Sequence, residues 1–350
     1  MTQPITIALD AMGGDKAPGM VFKGVDIARK RHPDVHFLLF GDERLLAPIL
    51  RRFPKLADRV DICHAPQVIA AEDKPSQALR RGKESSMRLA INAVRDGNAA
   101  GVVSAGNTGA LLAMSKFVLK TVDGIDRPAM AGVVPTRRGE SVILDLGANI
   151  ECTADNLVQF AIMGAEFARS VLGVRRPMVG LVNVGTEELK GHGELKVAAQ
   201  VLRDTTELPL AFEGFVEGDH LGQGTVDVFV TDGFAGNIAL KTAEGTAKFY
   251  SEMLRAAFRR SLLSRIGYLL ARPALQAIRK KVDPRTYNGA LFVGLNGVVV
   301  KSHGGTDALG FANALGVAAD LIRGRFNEQI VADLQSISDQ NEQSSEAAVS

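Results

Sequence analysis

The chain has 350 residues, with 41 Lys and Arg against 39 Asp and Glu, and a formal net charge of +2. That balance excludes a protein that binds nucleic acid over its whole surface, while 46% hydrophobic against 23% charged residues excludes wholesale disorder. Two cysteines, Cys63 and Cys152, stand far apart and outside any CxxC or Cys/His ligand spacing, which excludes a disulfide framework and points to a reducing cytoplasm.

Residues 1–15 carry no basic segment ahead of a long apolar core, so no signal peptide is expected. Residues 5–9 alternate as a strand and run into a turn that holds Asp10, Gly13 and Gly14. A second strand at 35–40 ends at Gly41. Strand 101–104 leads into the turn 105–109 and a helix through 120, and strand 142–146 into 147–149 and a helix through 172. Strand 179–184 leads into 185–188, and strand 226–231 into 232–237 and a helix. Strand 298–301 leads into 302–307 and a last helix to about 323. Short Val/Ile/Leu-rich strands alternating with helical patterns predict three-layer α/β/α architecture with a mostly parallel sheet buried on both faces. With no Gly/Ser- or Pro-rich linker, one α/β domain is expected over 1–330, with a helical excursion near 245–290. From Glu328 onward there is no Lys or Arg, so 331–350 reads as a polar tail, disordered from 338.

In such sheets ligands collect where strand carboxyl ends meet helix N-termini. The 36 glycines concentrate at those turns. None of the turns is GxGxxG or GxxxxGK[ST], which weakens dinucleotide and P-loop readings. What they offer is backbone N–H groups, amides and hydroxyls: Gly13, Gly14, Ser104, Gly106, Asn107, Thr108, Gly147, Asn149, Gly185 and Thr186. Such donors suit phosphate or an oxyanion forming during acyl transfer. The polar ones read equally as helix N-caps. Asp10, Asp145 and Asp232 stand at strand ends, where they could orient donors, bind a metal, or serve turn chemistry alone. Lys190 follows a Gly-Thr turn, where a cation could neutralise phosphate or a developing oxyanion; a solvated lysine paired with Glu187 is the plain alternative. His303 precedes two glycines and could carry protons near neutral pH, or be an ordinary hydrogen-bonded histidine. Neither cysteine has a local activating feature, so no covalent cysteine is expected.

Seven short motifs, at 10–15, 74–80 with 85–87, 104–109, 145–149, 183–188, 232–237 and 301–304, stand in the order found in the bacterial acyl-ACP:phosphate acyltransferases, the PlsX family of phospholipid synthesis. The sequence resembles that family from about residue 5 to 330. The resemblance implies that inorganic phosphate attacks the thioester of a long-chain acyl carrier protein, giving acyl phosphate and free carrier. A membrane acyltransferase then uses the acyl phosphate on glycerol 3-phosphate. It further implies an isocitrate/isopropylmalate dehydrogenase-like fold shared with phosphotransacetylases, a homodimer, and no cofactor or metal. Carried over by motif, Lys190 and Asn237 belong in the reaction centre. The turns with Gly106, Asn107 and Thr108 and with Gly147 and Asn149 would hold anionic groups. The cationic run Arg80, Arg81 and Lys83 could dock the acidic carrier. A phosphotransacetylase or dehydrogenase on the same layout and a non-catalytic, membrane-recruited scaffold are the other function classes.

Residues 255–281 carry eight basic side chains and no acidic one. At 100° per residue, Phe258, Leu262, Ile266, Leu269 and Leu270 fall on one helix face about 80° wide, and Pro273 is expected to end or bend that helix. This face is expected to touch an anionic membrane surface, placing the protein peripherally at the inner face of the cell membrane. Packing against its twin at a dimer interface is the alternative.

Overall fold

The computed structural model describes residues 5–205 and 208–335. Its strands are β1 (Ile5–Asp10), β2 (Val35–Gly41), β3 (Val60–His64), β4 (Gly101–Ser104), β5 (Ala129–Pro135), β6 (Glu140–Leu144), β7 (Met178–Val182), β8 (Ala211–Val216), β9 (Val228–Val230), β10 (Ala290–Val293) and β11 (Val298–Lys301). The α-helices are α1 (Gly19–Arg31), α2 (Glu43–Leu50), α3 (Pro75–Arg81), α4 (Ser86–Arg95), α5 (Thr108–Leu119), α6 (Ala154–Phe167), α7 (Gly193–Asp204), α8 (His220–Gln223), α9 (Gly233–Arg259), α10 (Leu262–Lys281) and α11 (Ala308–Arg323).

The strands form one sheet in the order β3-β2-β1-β4-β11-β10-β5-β6-β9-β7-β8. Side chains alternate across it as the pleat requires. Ile7, Leu9, Val103 and Val300 enter one core, and Ala8, Val102 and Val299 the other. Phe22 and Val25 of α1 and Phe311 and Leu315 of α11 fill the first core; Met87 and Ile91 of α4 and Leu111 and Met114 of α5 fill the second. Each fully buried side chain of this size contributes about 1.5–3 kcal/mol. The strands therefore read as continuous apolar runs, as expected for a sheet covered on both faces.

The pairing directions matter most for the site. β1, β4 and β11 are mutually parallel, and so are β6, β9, β7 and β8. Between them β10 and β5 pair antiparallel with each other and with their outer neighbours. Three reversals leave the second half running opposite to the first. Neighbouring strands twist by about 20–25°. From β4 to β9 is five steps in the sheet order, so the twist accumulates to roughly 100–125°. Antiparallel halves turned that far bring their carboxyl ends to within about 55–80° of one direction.

Two expectations on the excursion are corrected. The basic segment is not one helix but the hairpin of α9 and α10. It breaks at Ser261, whose extended backbone and hydroxyl, accepting from Ser264 N at 3.1 Å, cap the start of α10. Phe258 thus lies on α9, half-buried with its ring 5.4 Å from that of Tyr268, apart from the face shared by Leu262, Ile266, Leu269 and Leu270. Of the two outcomes expected at Pro273, an end or a bend, the end does not occur: α10 runs on to Lys281. The acceptor a proline leaves unmet, the carbonyl of Leu269 four residues earlier, lies on an exposed helix where water can serve it.

The expected start of the polar tail at 331 falls inside a helical stretch over 326–335. Phe326 and Ile330 are buried there, and Asp333 pairs with Arg169 at 2.5 Å. The rest of the expected tail lies outside the described residues. No helix among the described residues is long and apolar enough to cross a membrane.

Candidate active site

Two sets of turns stand at the carboxyl ends of the two parallel halves, separated along the sheet by the β10–β5 pair. The first gathers the ends of β1, β4 and β11. Asp10, 2% exposed, accepts hydrogen bonds from the Ser86 hydroxyl at 2.6 Å, the Ser104 hydroxyl at 2.7 Å and Met12 N at 3.3 Å. Ser104 Oγ in turn accepts from Gly106 N at 3.0 Å. Burial pushes the Asp10 carboxyl up, and the Ser86 and Ser104 hydrogen bonds pull it back. The carboxylate thus organises the turns. Gly13 passes so close that a Cβ there would stand 2.7 Å from Gly106 N, and Asp15 N donates to Gly304 O at 3.0 Å, tying the turns after β1 and β11 together. Gly14 has φ +99 and packs on Ala105.

Asn107 caps α5 by accepting from Ala110 N at 3.0 Å, and its amide donates to the carbonyls of Ala71 at 2.8 Å and Asp73 at 2.9 Å. Its side chain is therefore committed to the fold. Thr108 opens α5 and is exposed. His303 is exposed; its Nδ1 accepts from Gly305 N at 3.1 Å and its backbone N donates to Asn288 Oδ1 at 2.8 Å. Beside it lies Lys301, 8% exposed, whose ammonium donates to the Ser302 carbonyl. Burial lowers its pKa to about 8, against the opposing pull of Asp10 and Asp15.

The second set gathers the ends of β6, β9 and β7. Asp145 is fully buried and accepts from five N–H groups: Met130 N at 2.9 Å, Gly147 N at 3.1 Å, Ala148 N at 3.0 Å, Asn149 N at 2.6 Å and Asn149 Nδ2 at 3.0 Å. Asn149 Nδ2 also donates to Pro128 O at 2.9 Å, so that amide too is committed. Gly147, at φ +127, lets Asn237 approach: a Cβ there would stand 3.1 Å from Asn237 Nδ2. Asn237 Nδ2 donates to Leu146 O at 3.0 Å, and the residue is exposed. It sits in the second turn of α9, so it is not a cap; Asp232 is, accepting from Ala235 N at 2.8 Å.

Lys190 lies in the loop that Asn183 clamps, its Nδ2 donating to Lys190 O at 3.2 Å. Its side chain folds back over Gly185, where a Cβ would come within 3.0 Å of Nζ. It is half-exposed and pairs with Glu187 at 2.8 Å. That hydrogen bond raises the Lys190 pKa and lowers that of Glu187. Thr186 is exposed beside it. Five large apolar side chains near these residues in sequence are open to solvent: Ile150 after the 147–149 turn, Val184 and Leu189 in the Lys190 loop, and Phe234 and Ile238 beside Asn237.

Over residues 5–329 the chain matches the family described as Fatty acid synthesis protein. The chain belongs to that family. Among its similar proteins is the phosphate acyltransferase of Rhodospirillum centenum, 62% identical over 94% of this chain and 93% of that one. The phosphate acyltransferase of Rhodospirillum rubrum is 60% identical, covering 94% of each. Relatives this close over nearly the whole length make this chain an enzyme of the acyltransferase class. In fold it is similar to EutD phosphotransacetylase from Staphylococcus aureus, 17% identical with a TM-score of 0.58 over 91% of this chain and 94% of that one. A phosphotransacetylase from Streptococcus pyogenes gives 17% and 0.61 over 92% and 95%. At that identity the likeness is one of fold, and it bears out the expected layout.

Within this member of the family, Ser86 and Lys301 matter though sequence reasoning did not place them in the site, and Asp145 does more than its sequence reading settled. Ser86 reaches Asp10 from 76 positions away, a distance no local pattern spans. Asp145 reads in sequence as a strand-end carboxylate that could orient donors or serve turn chemistry alone; five donors converge on it. Lys301 stood only as the first letter of a motif; its burial depends on the strands either side of β11.

Proposed function

We propose that this acyltransferase moves the acyl group of a long-chain acyl carrier protein to inorganic phosphate by direct attack on the thioester, releasing acyl phosphate and free carrier. The observation that carries the reading is the second set of turns: a lysine and a side-chain amide at strand ends, each flanked in sequence by exposed apolar side chains. An acyl thioester needs that combination, a polar centre for its carbonyl and an apolar surround for its chain. Lys190 and Asn237 Nδ2 stabilise the tetrahedral oxyanion there. The first set, with Gly13, Gly14, Ser104, Gly106 and the N-terminus of α5, holds phosphate. Phosphate is already nucleophilic and the thioester already activated, so the chemistry calls for no metal, cofactor or covalent intermediate. Positioning and charge suffice.

Asn237→Asp should fold normally and lose about 10²–10³ in turnover, because a carboxylate cannot donate to an oxyanion. Retention of full activity in a variant of unchanged melting temperature would remove Asn237 from the reaction centre. The function itself is tested by incubating the enzyme with palmitoyl-ACP and labelled phosphate. Acyl phosphate should form, and faster from the carrier-bound donor than from palmitoyl-CoA; a preference for the CoA ester would favour the phosphotransacetylase reading.

Arg80, Arg81 and Lys83 are exposed on and beside α3, next to the 71–73 loop that Asn107 ties to the first set, and supply the docking charge for the acidic carrier. The protein works as a homodimer in the cytoplasm. On one face of the second half, Met130, Val134, Met178 and Val182 remain half-buried over the small cluster around Phe229, an apolar surface suited to a second copy. The α9–α10 hairpin rests on the inner face of the membrane, handing acyl phosphate to the glycerol-3-phosphate acyltransferase. Leu262 is 76% and Ile266 55% exposed, with Leu269 and Leu270 on the same face. Replacing Leu262 and Ile266 by Glu should abolish flotation with anionic liposomes while soluble activity and the dimer persist. Dissociation to monomers instead would assign the face to the dimer.

A further inference from the structure

Asn288 lies in the 282–289 segment that joins α10 to β10, and its side chain is 7% exposed. Its Nδ2 donates to Ser302 Oγ at 2.8 Å and to Gly310 O, in the first turn of α11, at 2.7 Å. Its Oδ1 accepts from His303 N at 2.8 Å. Two protons on one side and an oxygen on the other are what a carboxamide offers and a carboxylate does not. The segment is pressed against α11 at the next residue, Gly289, whose φ is +128 and where a Cβ would stand 3.0 Å from Ala314 Cα. Arg285 fastens it further back, donating at 3.0 Å to Asp307, the cap of α11.

From Asn288 the contacts run unbroken into the first set of turns. Ser302 N donates to Ser104 O at 2.9 Å, and Ser104 Oγ donates to Asp10 and accepts from Gly106 N. Gly304 stands against the other two turns: a Cβ at Gly14 would lie 3.2 Å from Gly304 O, and one at Gly304 3.5 Å from Ala105 O. Asn288 takes His303 N, and His303 Nδ1 takes Gly305 N at 3.1 Å. Gly304 N is thereby the one backbone donor of 302–305 without a partner among the described residues.

We propose that Asn288 is a positioning residue for inorganic phosphate. By holding Ser302 and His303 it fixes the Gly304 N–H where the turns after β1, β4 and β11 meet, so that the last of these completes the phosphate seat. The proposal rests on the reading that the first set holds phosphate, and adds to it a third turn and the side chain that sets that turn. Asn288 touches no substrate; it acts through the backbone of 302–304. Affinity for phosphate, and not for the acyl donor, depends on it.

Amide hydrogen exchange on the full-length wild-type enzyme, with and without inorganic phosphate, tests the turn itself. Phosphate should slow exchange over 302–306 as well as over 104–109. Slowing over 104–109 alone would overturn the proposal and spare the reading beneath it, whereas slowing over neither would sink both. Asn288→Ala should then raise the phosphate KM about tenfold, the scale of one misplaced hydrogen bond, with the KM for palmitoyl-ACP unchanged. A merely structural role would lower the active fraction, and so kcat, and leave both KM values alone. Ser302→Ala is the milder variant should Asn288→Ala not fold. It removes one of the three bonds and should raise the phosphate KM by a smaller factor. The double variant should be no worse than Asn288→Ala, since the Ser302 hydroxyl acts through Asn288. An unchanged phosphate KM in a folded variant, or equal rises in both KM values, would overturn the role.

Discussion

Lys190→Ala should fold like the wild type and lose about 10²–10³ in turnover. Its side chain stands half-exposed on a loop and makes one ion pair, with Glu187 at 2.8 Å. Nothing in the core leans on it, so the unfolding midpoint should not move. A cation at the reaction centre gains its full effect only when a thioester oxygen becomes negative. That preference for the transition state over the ground state raises turnover. The loss should therefore appear in kcat with the donor KM little changed. A well-folded variant that keeps more than about a third of wild-type activity, far from the expected loss, would show Lys190 to be the solvated partner of Glu187.

Asp145→Ala should produce the largest loss of stability. Five N–H groups converge on this fully buried carboxylate. Removing it strands four backbone donors and the Asn149 amide in a site built around a charge. Breaking a buried charged network in this way costs about 3–5 kcal/mol, a large share of the roughly 5–15 kcal/mol that holds a domain together. The 145–149 turn also carries Asn237 through Gly147, so activity should fall before the protein unfolds. Asp145→Asn retains one acceptor oxygen and should lie between. Chemical denaturation gives the result directly: a change below about 1 kcal/mol, well short of the buried-network cost, would mean that water replaces the carboxylate.

Much of the fold was legible because the signal is local. Val, Ile and Leu runs such as 298–300 read as buried strands, and Asp, Asn and Gly after them as turns. The direction of pairing was not legible. β10 and β5 turn the sheet around, and antiparallel and parallel neighbours can share the same apolar runs. Without that reversal the candidate residues look like one collection; the fold sorts them into two sets at the carboxyl ends of the two parallel halves. The capping alternatives for Asn107 and Asp232 describe what their side chains do, since an oxygen one turn ahead of a helix finds unpaired N–H groups at once. The helical reading of 255–281 missed the break because Ser261 is a strong cap inside a segment otherwise suited to helix. Lys301 was the hardest to see: a lysine at a strand end reads as solvated, and its burial depends on strands brought beside β11 from elsewhere in the sequence.

Direct attack by phosphate is the centre of the mechanism, and isotope exchange in the absence of phosphate tests it most directly. An enzyme that first takes the acyl group onto itself would shuttle it back to free carrier, as double-displacement enzymes do. Unlabelled palmitoyl-ACP mixed with labelled free carrier and enzyme, with phosphate removed, should therefore show no transfer of label into palmitoyl-ACP, and adding phosphate should start acyl phosphate formation at once. Label appearing in palmitoyl-ACP before phosphate is added would contradict the account, because it would require an acyl-enzyme that these two sets of turns were argued to make unnecessary.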